Sequence, residues 1–428
     1  MKKCVALAAC GVVSSVHAAE VTHLIGPPGV WVMPMAVADD GRTVVGKWMD
    51  RKGELTRTLD RDAGAARWEL HAPGTEHMMD DIGPGKFTAI SRDGTVATGR
   101  IDAYTPAATL GSSRSASPVT LPDTAGREPE RSRVDALSAD GRVMAGWTSR
   151  IVRRDWRIVP TAWVDGERYE LPRPGHIFTT AGWAQGVSPS GEHIVGVMRS
   201  PQREPFSVIW SKSVDDDTWS VRVMQRAGQT LPGAFAVSSD GRTALGRSTS
   251  ALWRWTNAGG VEKLFNAPSG FWRVDVHGQC DGLRVVVGQL RGGDLETPTG
   301  YIWTESTGLR NFDQFVRDLG LNLLCSHPVP RWVSGDGSLI VGEGQGEDGR
   351  IIGWMLRIDP LCLQATMLAS GLGGGDFFDM LSLIAAGDPR LDISGSIDPT
   401  DSSWAVPDGR TGIADLMLLM EWRTQGCL

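Results

Sequence analysis

At 428 residues, 41% apolar and 22% charged, the chain has the composition of a folded globular protein with ample material for a core. Its 53 Gly and 17 Trp suit many turns and short strands and argue against long helices or a coiled coil. The net charge of −7 is modest and spread out, and without a basic stripe nucleic acid is not an expected partner.

The N-terminal "MKKCVALAACGVVSSVHAAE" has a basic start at Lys2 and Lys3, an apolar run from Cys4 to Val16, and small residues before Ala19. That is the pattern of a secretory signal peptide over residues 1–18. "LAAC" (Leu7–Cys10) resembles a lipoprotein cleavage box, but the apolar stretch continues past the Cys. No later segment offers the roughly 18 uninterrupted apolar residues of a spanning helix. The expected location is therefore secreted, extracellular or cell-surface, with the periplasm as the alternative. Cys4 and Cys10 leave with the signal, so Cys280, Cys325, Cys362 and Cys427 remain. An even set in an oxidising compartment predicts two disulfides. Three pairings are open; Cys362–Cys427 with Cys280–Cys325 is favoured, against four buried thiols. No two of these cysteines are close and the His residues are scattered, so zinc is not expected.

From residue 36 onward one pattern recurs: "AVADDGRTVVG", "AISRDGTVATG", "ALSADGRVMAG", "GVSPSGEHIVG", "AVSSDGRTALG", "VHGQCDGLRVVVG" and "WVSGDGSLIVG". The turn glycines are Gly41, Gly94, Gly141, Gly191, Gly241, Gly282 and Gly337. Each copy reads as a short apolar strand, an Asp-Gly or Ser-Gly turn of the two-residue hairpin type, and a Val-rich second strand. The Gly closing that strand (Gly46, Gly99, Gly146, Gly196, Gly246, Gly288, Gly342) predicts a bulge or a close backbone approach.

A third strand with an aromatic follows in "PTAWV", "PFSVIW", "ALWRW", "TGYIW" and "IIGWM", then a turn and a short fourth strand such as "RYELP", "VEKLF" or "GLRNF". One four-stranded sheet per copy cannot bury both its faces alone, and radial stacking solves this. The expected fold is all-β: a seven-bladed β-propeller of four-stranded blades over residues 19–360, with six or eight blades as alternatives. The recurrent Trp is expected to pack between blades. "VTHLI" at the mature start matches a fourth strand, while the last copy stops after its third, at "IIGWMLRI". The N-terminal strand is therefore expected to complete the last blade and remove the free edges.

These copies resemble the HAF family of extracellular repeats, whose units run from an "A-x-x-I-S-x-D-G-x-V-V-G" core to an "H-A-F-x-W" strand. The similarity covers about residues 21 to 358, with "PTAW", "PFSVIW" and "TGYIW" standing where the family has His-Ala-Phe. The resemblance implies an extracellular propeller.

After Pro360 the strand pattern stops, and residues 361–428 hold two amphipathic helical patterns, about 376–386 and 413–423. "GDFFDMLSLIAAGDPRLD" and "PDGRTGIADLMLLMEW" resemble dockerin-type modules, paired loop–helix units built on an EF-hand calcium loop. A calcium loop needs oxygen ligands at positions 1, 3, 5 and 12 and Gly at 6. With Asp415 at 12, Asp408 falls at 5 and Gly409 at 6, but Trp404 and Val406 fall at 1 and 3. With Asp379 at 12, Asp376 falls at 9 and Leu368 at 1; a loop from Asp392 has Ile397 in place of its Gly. Calcium is the cofactor these aspartates would hold, in a degraded site; the alternative is a helical cap stapled by Cys362–Cys427. The resemblance implies a cohesin-like receptor as partner.

The chain lacks HExxH, GxSxG, a phosphate loop and a metal-spaced His cluster. Each Asp-Gly carboxylate sits at a repeated turn, which marks it as structural. "SVDDDTWS" (213–220) reads as a solvated hairpin tip and "RIVRRDWR" (150–157) as a strand connection. No catalytic residue is assigned. The leading expectation is a monomeric, non-catalytic binding or scaffold propeller that meets an extracellular glycan or protein at its loops or channel mouth. The alternatives are a secreted enzyme of polysaccharide catabolism, prompted by the dockerin-like tail, and a cell-envelope structural protein.

Overall fold

The computed structural model describes residues 19–27, 30–50, 63–70, 77–78, 80–84, 86–100, 106–108, 119–120, 132–152, 155–175, 181–202, 204–213, 218–226, 229–292, 298–305 and 307–358, with 415 and 418. The chain divides into two compact units, Glu20–Pro360 and a second formed by Met1–Ala19 with Leu361–Leu428. In the second unit, Asp415 and Leu418 are helical and buried. Residues 1–18, expected to be a signal peptide, and Cys362 and Cys427 lie outside the described residues.

Among the described residues the first unit is built from seven principal sheets, six of four strands and one of five. Their inner strands are Val30–Val37, Lys86–Ile90, Ser132–Leu137, Ala181–Val187, Ala234–Val237, Arg273–Gln279 and Ser326–Val333. Each repeated motif forms the inner strand and its neighbour, and residues of all seven inner strands or their turns surround one central channel. Adjacent sheets bury apolar faces against each other. Ala145 and Ala162 of the third sheet pack with Ile194, Val208 and Trp210 of the fourth.

The five-stranded sheet closes the ring. Ser326–Val333, Leu339–Gln345 and Ile351–Ile358 are followed in it by the N-terminal strand Ala19–Ile25, as the sequence predicts. Leu24 of that strand is fully buried and packs with Val341 and Met355 of the last sheet and with Val44 and Trp68 of the first. A fifth strand, His77–Met78, adds in parallel outside it, pairing Leu24 with His77. Sequence reading missed this strand.

The turns differ in detail from the expected two-residue hairpin. In the third sheet Gly141 N–H donates to Ser138 O (3.0 Å) and Ser138 N–H to Val143 O (2.7 Å), a longer loop around one tight turn. Only the Gly has positive φ, 71° at Gly141. Asp140 instead accepts from Ser138 Oγ (2.6 Å) and from Arg142 N–H (3.0 Å), and Ser138 Oγ accepts from Val143 N–H (3.0 Å). The same lattice recurs at Ser91–Asp93, Ser238–Asp240 and Ser334–Asp336. The Asp-Gly carboxylates are thus structural.

The sixth turn is displaced by one residue. Gly282 does not carry the positive φ; Leu283 does, at 57°, while Gly41, Gly94, Gly141, Gly191, Gly241 and Gly337 behave as expected. Cys280 then occupies the Ser position, and its Sγ accepts from Val285 N–H at 3.3 Å. The expected Cys280–Cys325 disulfide is not formed; both are free thiols. Cys280 is held in a turn and Cys325 precedes the inner strand of the seventh sheet, with its sulfur beside Gly344.

The Trp row is core. Trp68, Trp163, Trp210, Trp255 and Trp303 occupy one register, opposite Val44, Met144, Ile194, Ala244 and Val286, and are buried. Leu356 holds that register in the last sheet, opposite Ile340, and Trp354 lies two residues earlier. Trp354 stacks on Phe312 at 5.2 Å. Phe312 begins the helix Phe312–Asp318, whose N-cap Asn311 accepts from Gln314 N–H. Only the strand before that helix, Gly308–Asn311, was anticipated.

Candidate functional site

The repeated glycines build the site. A Cβ at Gly146 would lie 1.8 Å from Arg133 O, and at Gly99 1.9 Å from Lys86 O; Gly46, Gly196, Gly288 and Gly342 meet a carbonyl of their inner strand at 2.0–2.4 Å, and Gly246 meets Pro232 O, just before its strand, at 2.2 Å. Opposite each, the inner strand bulges, with register shifts at Pro34/Ala36, Phe87/Ala89, Val134/Ala136, Ala184/Gly186, Ala234/Ala236, Val276/Gly278 and Pro330/Trp332. A bulge re-aims one side chain. The bulged residues are Met35, Thr88, Asp135, Gln185, Phe235, His277 and Arg331, each just before the conserved-looking core of its motif. Asp135, Gln185, Phe235 and His277 line the channel. The scaffold thus repeats while the side chain it presents varies from copy to copy.

The channel holds a cavity of about 300 Å³ toward the Asp-Gly turns. A larger one of about 870 Å³ lies at the opposite mouth, lined by inner-strand beginnings and second-strand ends, including Trp147, Trp183, Arg199, Arg247 and Arg273. Arg133, Asp135, Gln185 and Arg247 belong to both.

Charge at this mouth is organised around two carboxylates, Asp275, which is buried, and Asp135, which is half-buried. Asp275 accepts from Arg273 Nε (2.7 Å), Arg291 Nε (2.8 Å), Gln289 Nε2 (3.1 Å) and Arg247 Nη1 (3.4 Å). Burial works to raise its pKa, but the hydrogen bonds of Arg273 and Gln289 and the charges of Arg273 and Arg291 outweigh it and hold the carboxyl below its ordinary value. Asp135 pairs with Arg133 Nε at 2.6 Å. Burial pushes its pKa up to about 6, only partly opposed by Arg133 and Lys86.

His277 is neutral. Burial and the Arg331 charge push its pKa down to about 3. Its Nδ1 donates to Pro330 O (2.9 Å), leaving Nε2 to accept from Arg331 Nη1 (3.0 Å). Arg331 Nε also donates to Glu343 Oε1 (3.0 Å). Above the channel wall the Arg199 guanidinium lies 5.0 Å over the Trp183 ring.

Of the residues predicted as ligands, Asp376, Asp379, Asp392 and Asp408 lie outside the described residues, and Asp415 is a buried helical residue. Among the described residues no group of three His, Cys, Asp or Glu side chains is placed to hold a metal ion. The flanks of "SVDDDTWS" are paired strands, Lys212 opposite Trp219, and in "RIVRRDWR" Arg150 pairs with Arg157. Sequence reading passed over the channel residues because it followed what the copies share. The signal was the reverse: the position before each core is the one whose chemistry changes.

No protein-family model matches the chain, and no curated protein matches it. Similar solved structures are propellers of low identity. The propeller domain of the Trilobed protease from Pyrococcus furiosus is 11% identical, covering 76% of this chain and 95% of that one, with a TM-score of 0.45. A TolB protein from Agrobacterium tumefaciens is 16% identical over 66% of this chain and 94% of its own, with a TM-score of 0.40. An oligogalacturonate lyase in complex with manganese is 12% identical over 78% and 92%, with a TM-score of 0.45. The chain is a β-propeller. Its own seven sheets, set around one channel, establish this.

Proposed function

We propose that this chain is a secreted, non-catalytic binding protein: a seven-bladed ring of HAF-like repeats that takes its ligand at the wide mouth of the channel. A dockerin-like C-terminal module attaches it to a cohesin-like receptor. The carrying observation is the set of seven bulges, in which Met35, Thr88, Asp135, Gln185, Phe235, His277 and Arg331 vary on an otherwise repeated frame; Asp135 and Gln185 line the wide mouth, and Phe235 and His277 the adjoining narrower cavity. Variable side chains on a rigid frame suit recognition. The cavity of about 870 Å³ is in the size range of ligand sites and carries two half-buried Trp rings with a few polar groups.

A second reading, a polysaccharide-processing enzyme, has one observation in its favour: the Asp135 carboxyl, raised to about 6 in the channel, is suited to exchange a proton near neutrality. One experiment separates the two. The full chain is screened on a glycan array and incubated with the glycans it retains. Binding without new reducing ends, lost in Trp183→Ala, is the expected result. Reducing ends that accumulate with wild type and vanish in Asp135→Asn would establish the enzyme instead.

A further inference from the structure

We infer that the wide mouth of the channel is an anion-recognising site for an acidic saccharide, one bearing carboxylate or sulfate groups; this rests on the reading of that mouth as the binding surface. The chain is acidic overall, at −7. Yet five guanidiniums, Arg133, Arg199, Arg247, Arg273 and Arg291, gather there with two carboxylates, Asp135 and Asp275. The surplus is positive, and Arg stays charged at any working pH.

The fold does not require this arrangement. Arg273 and Arg291 face each other directly across a strand pair. Like charges so placed destabilise a sheet; the second copy sets Lys86 opposite Arg100 at its corresponding rim, while in the third and fourth Ser132 faces Thr148 and Ala181 faces Arg199. Asp275 ties the Arg273–Arg291 pair together and also meets Arg247 from the fifth sheet, but one carboxylate cannot neutralise three guanidiniums. Among the described residues Asp275 is the one side-chain partner of each. Most of their N–H groups are thus left for a further anion, and Arg247, Arg273 and Arg291 are 38%, 47% and 52% exposed. The planar guanidinium matches a carboxylate or sulfate with paired hydrogen bonds.

The rest of the lining selects a sugar as the carrier of that charge. Trp147 stands opposite Arg133 and Trp183 lies under Arg199, so each half-buried ring borders a guanidinium. An aromatic face beside a fixed cation suits a pyranose ring with an acidic substituent. Gln185, Thr230, Ser248 and Thr249 supply hydroxyl and amide partners around the same cavity.

The test is isothermal titration of the full chain with oligogalacturonate, a sulfated dextran oligosaccharide, maltohexaose and poly-L-glutamate, at low and high salt. Both acidic sugars should bind, and the stronger of them tells whether carboxylate or sulfate is the natural group. Maltohexaose should bind at least tenfold more weakly, and added salt should weaken the acidic sugars. Arg273→Ala should lower their affinity about ten- to a hundredfold. Arg247→Ala should do the same should Arg273→Ala fail to fold, as judged by circular dichroism. Arg142→Ala, on the Asp-Gly turns and paired with Asp165, should change nothing. Maltohexaose binding as tightly as the acidic sugars would overturn the inference and leave the binding reading intact. Poly-L-glutamate binding as well as the sugars would overturn the saccharide assignment. Absence of acidic-sugar binding would refute the inference outright. Acidic sugars that bind through Arg273 and are cleaved would sustain it and overturn the non-catalytic reading.

Discussion

The N–H of Gly335 donates to Asp39 Oδ1 at 2.8 Å, joining the seventh sheet to the first across 296 positions of sequence. It is the last link in a chain of contacts between turns. Asp39 N–H reaches Arg92 O, Arg92 N–H reaches Ala139 O, and Ala139 N–H reaches Pro189 O, at 2.9–3.0 Å. Pro189 has no N–H to give, and Ser190 Oγ reaches Ser239 O instead, at 3.1 Å. Asp281 N–H then reaches Gly335 O at 2.9 Å. In the first, second, third and sixth turns the residue two before the positive-φ position is thus a clasp to the next sheet, and Asp39 closes the circle with its side chain.

Asp39→Ala should therefore destabilise the ring by about 1–3 kcal/mol, because it strands the Gly335 N–H and removes a partner of Arg92. Asp40→Ala, next in sequence but exposed, with its carboxylate accepting from Arg42 N–H within its own turn, should cost about 1 kcal/mol or less. Urea unfolding of the two variants checks the order; equal losses would deny Asp39 its role as a clasp.

The glycines at the bulges separate steric need from conformational need. Gly146→Ala would drive a Cβ into Arg133 O, a backbone atom that cannot turn aside, and should cost about 3 kcal/mol or more or prevent folding. Gly166 has φ 85° with open space around it, so Gly166→Ala should cost only about 1–2 kcal/mol of left-handed strain. Gly175 has neither constraint, and Gly175→Ala should be neutral or stabilising by about half a kcal/mol. Thermal melts of the three resolve this ranking.

How far the sequence revealed these features follows from what repetition can show. The bulge glycines recur in all seven sheets and the Ser-x-Asp-Gly lattice in four because the backbone makes the same demand there, so comparing copies exposes them. The sixth turn misled because "CDGL" contains an Asp-Gly pair out of register: Leu283, not Gly282, takes the left-handed position, and its side chain remains 5% exposed in the core. Among the described residues the helix Phe312–Asp318 occurs in one copy only, with its Asn311 cap and buried Phe312 and Phe315. The arginine cluster was hidden for another reason. Arg247, Arg273 and Arg291 lie at strand ends far apart in sequence, and only the radial arrangement of sheets brings them to one carboxylate.

Asp135 should make stability depend on pH in a defined window. Its folded pKa of about 6 lies above the ordinary 3.8, so the folded state holds the proton more tightly than the unfolded chain. That contribution is fully present below about pH 4 and is lost as pH rises through 6. Asp135→Asn cannot ionise, so between pH 4 and 7 it should gain on wild type by about 1–3 kcal/mol, less what the Arg133 ion pair returns. Chemical denaturation at pH 4, 5.5 and 7 measures the difference; a constant offset between the two proteins would contradict a raised Asp135.

The two described thiols should stay unpaired even after oxidation. Cys280 Sγ is occupied as the acceptor of Val285 N–H and stands where Ser138, Ser188, Ser238 and Ser334 stand in other copies. A Ser Oγ fits that role with a shorter bond, 2.9–3.0 Å in those copies against 3.3 Å for the sulfur. Cys280→Ser should therefore fold and change stability by no more than about 1 kcal/mol in either direction, whereas loss of a native disulfide costs about 2–5 kcal/mol. Burial, with Asp313 adding to it, pushes the Cys325 thiol up to about 12, so at neutral pH it is a poor nucleophile for exchange. Alkylation of the oxidised, denatured protein followed by peptide mapping should find Cys280 and Cys325 each carrying the label. A cross-linked peptide containing both, or a large loss of stability in Cys280→Ser, would restore the pairing.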